Sequence, residues 1–245
     1  MTVNVQSIPL FVQVAETLKT RIRNHEYSPG EAIPSAKALE KEFDVSNITI
    51  RRAVEQLARE GYVVPKRGVR PRVAELEKTW VEIEITGNFR TWIDTAVGEK
   101  LGIRAKLLDR QILDCPKPLR DILALDPKEK VERIKRVREL RGEPISYYVT
   151  FASSLLTSRL SDREIEKGPF VDSLQNVCKR KLKSMEQNVH ASIADMDLAG
   201  ILHVDFGFPL FFVQNIYYSE KNKPMAITQM YYRSDRYVYS AKRKL

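Results

Sequence analysis

Residues 35–61 read SAKALEKEFDVSNITIRRAVEQLAREG, and this stretch decides the fold of the N-terminal part of the chain. Ser35 and Ser46 each precede a helical pattern of apolar residues, so each serine is predicted to cap the free amides of a helix. The first helix is short and stops at Asp44–Val45, and Gly61 ends the second. Two short helices joined by a tight turn are typical of a helix-turn-helix.

The flanking segments extend this motif. Apolar residues recur every four positions between Pro9 and about His25, which predicts an amphipathic helix; they are Leu10, Val14, Leu18 and Ile22. Strand-like runs at 62–64 and 69–73 flank residues 65–68, PKRG, and predict a two-stranded ribbon with a basic tip. The N-terminal part is therefore predicted to be a winged helix-turn-helix.

Such a motif places the N-terminal residues of its second helix against base edges and phosphates in the major groove of DNA. Hydroxyl and amide groups suit phosphate there, and arginine can donate two hydrogen bonds to guanine. For any single arginine, an ordinary solvated surface residue is as good an explanation as a DNA contact. The caps, the apolar register and the basic wing, however, all indicate the same DNA-binding motif. The candidate DNA-binding residues are Ser35, Ser46, Asn47, Thr49, Arg51, Arg52, Lys66, Arg67 and Gly68.

Composition limits the other possibilities. The 245 residues carry a formal net charge of +9, and residues 44–73 concentrate seven Lys and Arg against three acidic residues. The apolar stretches are far shorter than the roughly 18 residues of a membrane span, and the N-terminus lacks a secretion signal, so a cytoplasmic protein without membrane contact is expected. Cys115, Cys178 and the three histidines have no zinc-ligand spacing. No metal or cofactor is predicted.

The N-terminal sequence resembles a known family. The run PLFVQVAETLKTRI, followed by YSPGEAIPSAKALEKEFDVSNITIRRAVEQLAREGYVV and RG, is similar over residues 9–68 to the DNA-binding domain of GntR-family bacterial transcription regulators. The resemblance implies that operator DNA is contacted by Ser35, Thr49, Arg51 and Arg52, and that Gly68 approaches the minor groove. Asn47 stands where the family often has arginine, and Val69–Arg70 replaces a second glycine region in the wing.

Beyond a predicted linker at 75–80, the pattern changes from helical to mixed, which indicates a second domain at 81–245 after a first domain at 1–74. Turns at 141–144 and 221–224 separate pairs of strand-like runs and predict two hairpins, in an α+β domain around an antiparallel sheet. The predicted strands are Val81–Ile85, Ala105–Asp114, Val131–Leu140, Ile145–Ala152, Val189–Met196, Leu210–Ser219 and Met225–Tyr232. The predicted helices are Arg90–Leu101, Ser161–Glu166, Phe170–Lys181 and Asp197–Leu202.

This half resembles the UTRA effector-binding domain of the histidine-utilisation-repressor (HutC) branch of the GntR family, which is similar in fold to chorismate lyase. The resemblance rests on the run Arg136–Arg138, the motifs GEPI at 142–145 and NKPM at 222–225, and the closing YRSDRY at 232–237. It implies a dimerisation domain that binds a small anion: a phosphorylated, phosphonate or carboxylate metabolite.

Candidate effector-binding residues follow from that resemblance and from the aromatic pattern: Asn88, Phe89, Arg136, Arg138, Tyr148 and Tyr232. Arginine holds phosphate or carboxylate through two hydrogen bonds. An acidic residue that often follows each hairpin proline is replaced by Tyr148 and Ala226, so an amino-sugar ligand is not expected. The paired tyrosines also fit ordinary strand packing, and the two arginines also fit a surface ion-pair ladder.

Three functional hypotheses remain open at this point. The leading one is a homodimeric repressor that binds double-stranded operator DNA, lies on the bacterial nucleoid when bound, and is controlled by the anion. Half-sites about 34 Å apart require two recognition helices held by a dimer, and an effector that favours another spacing releases the DNA. The second hypothesis is a regulator whose second domain only dimerises, and the third is a lyase-like enzyme.

Overall fold

The computed structural model describes residues 8–66, 69–75, 81–84 and 102–240, and the chain divides into two compact units at Thr79 and Trp80. Part of the predicted linker and the whole predicted helix Arg90–Leu101 lie outside the described residues. In the described ranges no helix combines the length and the hydropathy that crossing a membrane requires.

The first unit has the predicted helix-turn-helix and ribbon. Its elements are α1 (Leu10–Arg23), α2 (Ala36–Phe43), α3 (Asn47–Arg59), β1 (Val63–Lys66) and β2 (Val69–Val73). β1 and β2 are antiparallel, with Val63 opposite Val73 and Lys66 opposite Val69. Pro9 precedes α1 as its N-cap instead of being its first residue, a shift of one position.

Local interactions set the ends of these helices. The Ala38 amide donates to Ser35 Oγ at 3.2 Å, and the Thr49 amide donates to Ser46 Oγ at 3.4 Å, so both predicted serine caps are confirmed. Asp44 has a φ of 50° and ends α2 in the left-handed conformation. Gly61, two residues after the end of α3, has a φ of 76° that favours glycine.

The core of this unit forms where the three helices meet the ribbon. Leu18, Leu39 and Leu57 are fully buried, one from each helix, and Val63 and Val73 of the ribbon pack against them. Lys19 is also buried and pairs with Glu16 and Glu60, which compensates the burial of its charge. The spacing of the apolar residues along α1 and α3 is thus explained by one shared core.

The second unit is built on an antiparallel sheet in which the spatial order of the strands differs from their order in the sequence. Among the described residues its six strands lie in the order β4-β5-β6-β9-β8-β7, which confirms the antiparallel sheet and both hairpins. These strands are β4 (Ile103–Asp114), β5 (Lys130–Leu140), β6 (Glu143–Ser153), β7 (Leu182–Ile193), β8 (Pro209–Ser219) and β9 (Pro224–Arg233). A separate parallel pair joins β3 (Val81–Glu84) to β10 (Tyr237–Ser240).

Short helices cover the two faces of the sheet. They are α4 (Lys117–Leu123), α5 (Ser154–Thr157), α6 (Asp162–Lys167), α7 (Phe170–Asn176) and α8 (Met196–Leu202). One face packs against α5, α6 and α7 toward one end of its strands, and against the β3–β10 pair toward the other. The opposite face packs against α4 and α8. The middle of the first face, between the helices and the strand pair, holds the residues discussed below.

Several predicted boundaries in this unit are wrong. The helix predicted at Phe170–Lys181 ends at Asn176, where no glycine or proline in the sequence marks an end. Lys179, three residues later, has a left-handed φ of 52° and lies outside the helix. β7 begins at Leu182 instead of Val189, since pairing with β8 recruits a polar stretch with weak strand character. Met196 begins α8 and does not end the preceding strand, since Asp195 caps that helix. The helices α4 and α5 and the strand β10 were not predicted.

The buried leucine of α3 provides a test of this core. Leu57→Ala is expected to lower the free energy of unfolding of the first unit by about 2–5 kcal/mol, because the side chain is fully buried and its removal leaves a cavity. Ile48→Ala, in the same helix but 67% exposed, is the control and should change it by less than about 0.5 kcal/mol. Urea unfolding followed by circular dichroism measures both, and equal effects would contradict this packing.

Candidate nucleic-acid interface and candidate anion site

The solvent-exposed side of α3 carries the arginines that were predicted to meet DNA. Ile50, Ala53 and Leu57 are at most 1% exposed, whereas Arg51 and Arg52 lie on the solvent side. In the described part of this unit the ion pairs hold other basic side chains, and neither arginine is joined to a carboxylate. The N-terminal half of α3 therefore presents two exposed guanidinium groups that are not in an ion pair with a described carboxylate.

The N-terminal turn of α3 brings polar groups next to these arginines. Ser46 is exposed, and its hydroxyl lies 3.0 Å from the hydroxyl of Thr49. The first amides of a helix have no partner inside the helix and bear partial positive charge, which attracts an anion such as phosphate. Ser35 occupies the equivalent capping position at the start of α2. Both helix starts combine free amides with a serine hydroxyl.

Asn47 has a second role that the sequence did not reveal. Its side-chain amide donates a hydrogen bond to Glu40 Oε1, which ties the first residue of α3 to α2. The side chain is half-buried, unlike those of Arg51 and Arg52. This contact orients the two helices of the motif relative to each other.

The ribbon adds a basic residue that was not among the candidates. Arg70, on β2, is exposed and lines a groove of about 270 Å³ together with Arg51 and Pro71. Arg72 is used within the unit, since its guanidinium donates to the Gly30 carbonyl at 2.6 Å. The spacing of Arg70 and Arg72 along β2 was the sequence signal that could have identified Arg70 as a candidate. Only the fold shows that Arg70 lies beside α3. Of the predicted wing residues, Lys66 ends β1, and Arg67 and Gly68 lie outside the described residues.

In the second unit, four of the predicted effector-binding residues lie together on one face of the sheet. The guanidinium carbons of Arg136 and Arg138 lie 5.8 Å and 5.1 Å from the centre of the Tyr148 ring. The rings of Tyr148 and Tyr232 meet edge-on with centroids 5.8 Å apart. The strand register explains the cluster. Arg136 is opposite Tyr148, and Tyr232 is opposite Ser146, which lies two positions before Tyr148 on β6. Asn88 and Phe89 lie outside the described residues.

Arg136 is buried in an unusual environment. It is 3% exposed, and its Nη1 donates to the carbonyl oxygens of Ile165 and Gly168, at 2.7 Å and 2.9 Å. These carbonyls belong to the C-terminal end of α6 and the residue that caps it, where the helix carries partial negative charge. The Nε atom is buried and finds no partner among the described residues. Burial and the neighbouring Arg138 lower the pKa of Arg136 to about 10, so the side chain is still charged at neutral pH.

The surface ion-pair ladder considered for these arginines is wrong. Arg136 is not at the surface, and its recorded partners are backbone carbonyls instead of carboxylates. The acidic residue on the same face of β5, Glu132, pairs with Arg110 on β4. Within the described ranges the salt bridges of this unit include neither Arg136 nor Arg138. The cluster thus holds two positive charges that no described carboxylate neutralises.

A row of buried neutral polar side chains continues from the arginine cluster across the same face of the sheet. The hydroxyls of Thr150 and Thr228 lie 3.1 Å apart, on the paired strands β6 and β9. Asn215, on β8, accepts from Gln187 at 3.0 Å and donates to the Tyr217 hydroxyl at 3.4 Å. Sequence reasoning missed these residues. Their signal was their two-residue spacing along the strands, which puts Thr150 on the face of Tyr148, but polar residues on strands usually point outward.

Tyrosines close the other side of the cluster. Tyr237 lies 4.6 Å from Tyr232 between ring centroids, and its hydroxyl lies 3.0 Å from that of Ser146. Burial raises the pKa of Tyr232 and of Tyr237 well above the ordinary tyrosine value. Both phenols are therefore neutral at physiological pH and leave the arginine charges uncompensated.

The described residues contain no group of three or more His, Cys, Asp or Glu side chains arranged to hold a metal ion. Cys115 and Cys178 are free thiols, and Cys178 is buried against the carbonyl of Leu156 at 3.2 Å.

Two family models match the chain. Residues 10–73 match the family described as "Bacterial regulatory proteins, gntR family", and residues 99–238 match the UTRA domain. The second match covers more than half of the 245 residues. The two matches fall on the helix-turn-helix unit and on the sheet unit.

Similar proteins agree with these matches. Over 240 residues the chain is 25% identical to the HTH-type transcriptional repressor NagR of Bacillus subtilis (strain 168). This alignment covers 98% of this chain and 97% of NagR. Over 207 residues it is 25% identical to the mannosyl-D-glycerate transport/metabolism system repressor MngR of Escherichia coli (strain K12), covering 82% of each. The crystal structure of PhnF from Mycobacterium smegmatis has a TM-score of 0.57 at 18% identity, covering 94% of this chain and 99% of that one, and shows a shared fold.

The buried tyrosines of the cluster provide a test of its geometry by pH titration. A tyrosine whose pKa is raised by folding stabilises the folded state below the unfolded pKa of about 10 and loses that contribution as the pH rises above it. Because burial raises the pKa of Tyr237, this side chain does not ionise near pH 10 while the protein is folded. Tyr237→Phe is thus expected to leave unchanged the number of tyrosines that ionise near pH 10 in the folded protein. Absorbance at 295 nm between pH 9 and 11.5 measures this number. A loss of one ionising group in the variant would show that Tyr237 is accessible to solvent.

Proposed function

The chain belongs to the gntR family of bacterial regulatory proteins and carries a UTRA domain, and from this premise we propose that it is a repressor whose affinity for operator DNA is controlled by a small anion. Proteins of this family are transcription regulators and not enzymes, which removes the lyase-like alternative. The repressor assignment is supported by the names of the relatives NagR and MngR. The remaining parts of the proposal rest on the two sites described above.

The exposed, unpaired arginines of α3 are the observation that carries the DNA-binding part. Arg51 and Arg52 lie within about one turn of the N-terminus of α3, the part of a recognition helix that faces base edges. The capping serines and free amides of α2 and α3 suit phosphate oxygens on either side of the groove. We assign operator contacts to Ser35, Ser46, Asn47, Thr49, Arg51 and Arg52, with Lys66, Arg67 and Gly68 from the wing.

The buried Arg136 is the observation that carries the effector part. A guanidinium with an unpartnered Nε, next to a second guanidinium and in no ion pair with a described carboxylate, is stabilised when an anion binds. Phosphate, phosphonate and carboxylate groups all match the planar donor set of arginine. We assign effector contacts to Arg136, Arg138, Tyr148 and Tyr232, together with Asn88 and Phe89.

The neutral polar row beside this cluster suggests the rest of the ligand. Hydroxyl and amide groups such as those of Thr150, Thr228 and Asn215 pair with hydroxyls or carbonyls of a ligand. No described carboxylate of the cluster can pair with an ammonium group, since Tyr148 and Ala226 occupy the two positions where an acid was sought. The favoured effector is therefore an anion with an uncharged polar body and without an amine.

The regulatory step requires a dimer. Two recognition helices reach half-sites about 34 Å apart only when the protomers are joined, and we assign this role to the UTRA domain. An anion that binds more tightly to a dimer with a different spacing shifts the population away from the operator-bound form. In the cell the protein is then cytoplasmic and lies on the nucleoid while it is bound to DNA.

A second candidate function is a regulator whose UTRA domain only dimerises. The close packing of the cluster favours it, because Arg136 and Tyr232 are 3% and 2% exposed and the guanidinium of Arg136 already donates to two backbone carbonyls. The two functions differ in their response to anions, which the second experiment below measures.

Replacement of Arg51 tests the DNA-binding part. Arg51→Ala is expected to weaken binding to an operator selected in vitro by about 1–3 kcal/mol and to relax the preference for one base pair. Arg59→Ala removes the same charge from an exposed position two turns later in α3 and should keep the base preferences of the wild type. Fluorescence anisotropy with operator duplexes measures both. An equal loss on every DNA sequence would make Arg51 a phosphate contact.

Replacement of Arg138 tests the effector part. Arg138→Met keeps an apolar stem against Tyr148 but removes the charge, so it should abolish stabilisation by the effector anion. Lys135→Met removes a charge from the opposite face of the same strand and should retain that stabilisation. Thermal unfolding with inorganic phosphate, methylphosphonate, sugar phosphates and sugar acids measures the shift, which is about 5–10 °C for the wild type with a ligand at 100 times its dissociation constant. No shift with any anion would favour the dimerisation-only function.

A further inference from the structure

One aliphatic side chain on α3 is exposed, whereas the other aliphatic residues of this helix are buried or half-buried. Ile48, the second residue of the helix, is 67% exposed, while Ile50 and Leu57 are 1% and 0% exposed. In the described part of this unit, the other large aliphatic side chains that are exposed lie before α1, at the start of α1 and on the ribbon, and none of them lies on α3. Ile48 therefore stands alone among the polar and basic groups at the start of this helix.

The position of Ile48 on the helix matters more than its exposure. Residues three and four positions apart lie on the same face of a helix, so Ile48 is next to Arg51 and Arg52. All three side chains are exposed. A single exposed isoleucine needs no explanation on an ordinary surface. Here it lies on the face that carries unpaired arginines and within one turn of the Ser46 cap, the part of α3 that the proposed function puts into the major groove.

The major groove offers only one apolar group to such a side chain. Adenine, guanine and cytosine present hydrogen-bond donors and acceptors there, whereas thymine adds its C5-methyl group. An isoleucine cannot donate or accept a hydrogen bond, so against any other base it buries a polar edge without a partner. We propose that Ile48 determines operator specificity by packing against the C5-methyl group of a thymine in each half-site. This inference rests on the proposed function, in which α3 is the recognition helix.

The helix geometry also restricts where this thymine lies. Ile48 and Arg51 are separated by three residues, or about 4.5 Å along the axis of α3. Stacked bases are about 3.4 Å apart along one strand. We therefore expect the thymine contacted by Ile48 to lie within about two base pairs of the base pair contacted by Arg51.

The test removes single methyl groups from the DNA. An operator is selected in vitro with the full-length wild-type protein, and each of its thymines is replaced in turn by deoxyuridine, which lacks the C5-methyl group but keeps the base pair. For the wild type, one deoxyuridine in each half-site is expected to weaken binding by about 3- to 10-fold, the effect of losing the C5-methyl group and its buried contact with the isoleucine side chain. Ile48→Ala should bind the unmodified operator more weakly by a similar factor and show no further loss with that deoxyuridine.

Two control variants keep the test specific. Ile48→Val retains a branched aliphatic group and should keep most of the sensitivity to the methyl group. Leu155→Ala truncates an aliphatic side chain that is 76% exposed in the other unit, and should keep the full sensitivity. Because Ile48 is exposed, its truncation is not expected to unfold the protein, and circular dichroism of the variant checks this.

The outcomes separate this inference from the function on which it depends. If the wild type selects an operator but binds its deoxyuridine forms equally well, or if Ile48→Ala keeps the wild-type sensitivity, the role assigned to Ile48 is overturned and the DNA-binding function stands. If the wild type selects no sequence at all, the proposed function and this inference both fail.

Discussion

The antiparallel pairing of β5 with β6 and of β6 with β9 is the constraint on which the second unit depends. This register sets Arg136 opposite Tyr148 and brings Tyr232 to the same face. Side chains alternate between the faces of a sheet, so a slip of one residue in either pairing would send one partner to the opposite face. The tight turns at 141–142 and 220–223, with left-handed residues at Arg141 and Asn222, hold the β5–β6 and β8–β9 hairpins in register.

Burial of positive charge at this face is costly, and the fold offsets only part of the cost. Arg136 donates to two carbonyls at the end of α6, yet its Nε has no described partner and Arg138 adds a second charge beside it. By contrast, Arg110 on the neighbouring strand is paired with Glu132 and Asp162. The same sheet thus contains one arginine whose charge is neutralised and one whose charge is not. This difference between the two arginines is the reason for proposing that an anion binds beside Arg136.

The first unit depends on shorter-range interactions. Capping by Ser35 and Ser46 sets where α2 and α3 begin, and the hydrogen bond between Asn47 and Glu40 joins the two helices. Once Ile50, Ala53 and Leu57 are buried, the 3.6-residue period leaves Ile48, Arg51 and Arg52 on the opposite side. The packing that stabilises the helix therefore also determines which of its side chains remain exposed.

The sequence by itself determined the elements whose signals are local. Serine caps, a glycine after a helix and apolar spacing identified the winged helix-turn-helix, and the turns at 141–144 and 221–224 identified the two hairpins of the sheet. It also put Arg136 and Arg138 on one face, because the two-residue period of a strand needs no tertiary information. The tertiary structure alone decided that Arg136 is buried, since the carbonyls that receive it lie 29 and 32 residues away. It decided likewise that Tyr148 meets Tyr232, that β7 begins at Leu182, and that Thr228 and Asn215 lie beside the arginine cluster. These three features depend on pairing between strands that are distant in the chain, and no local sequence pattern encodes such pairing.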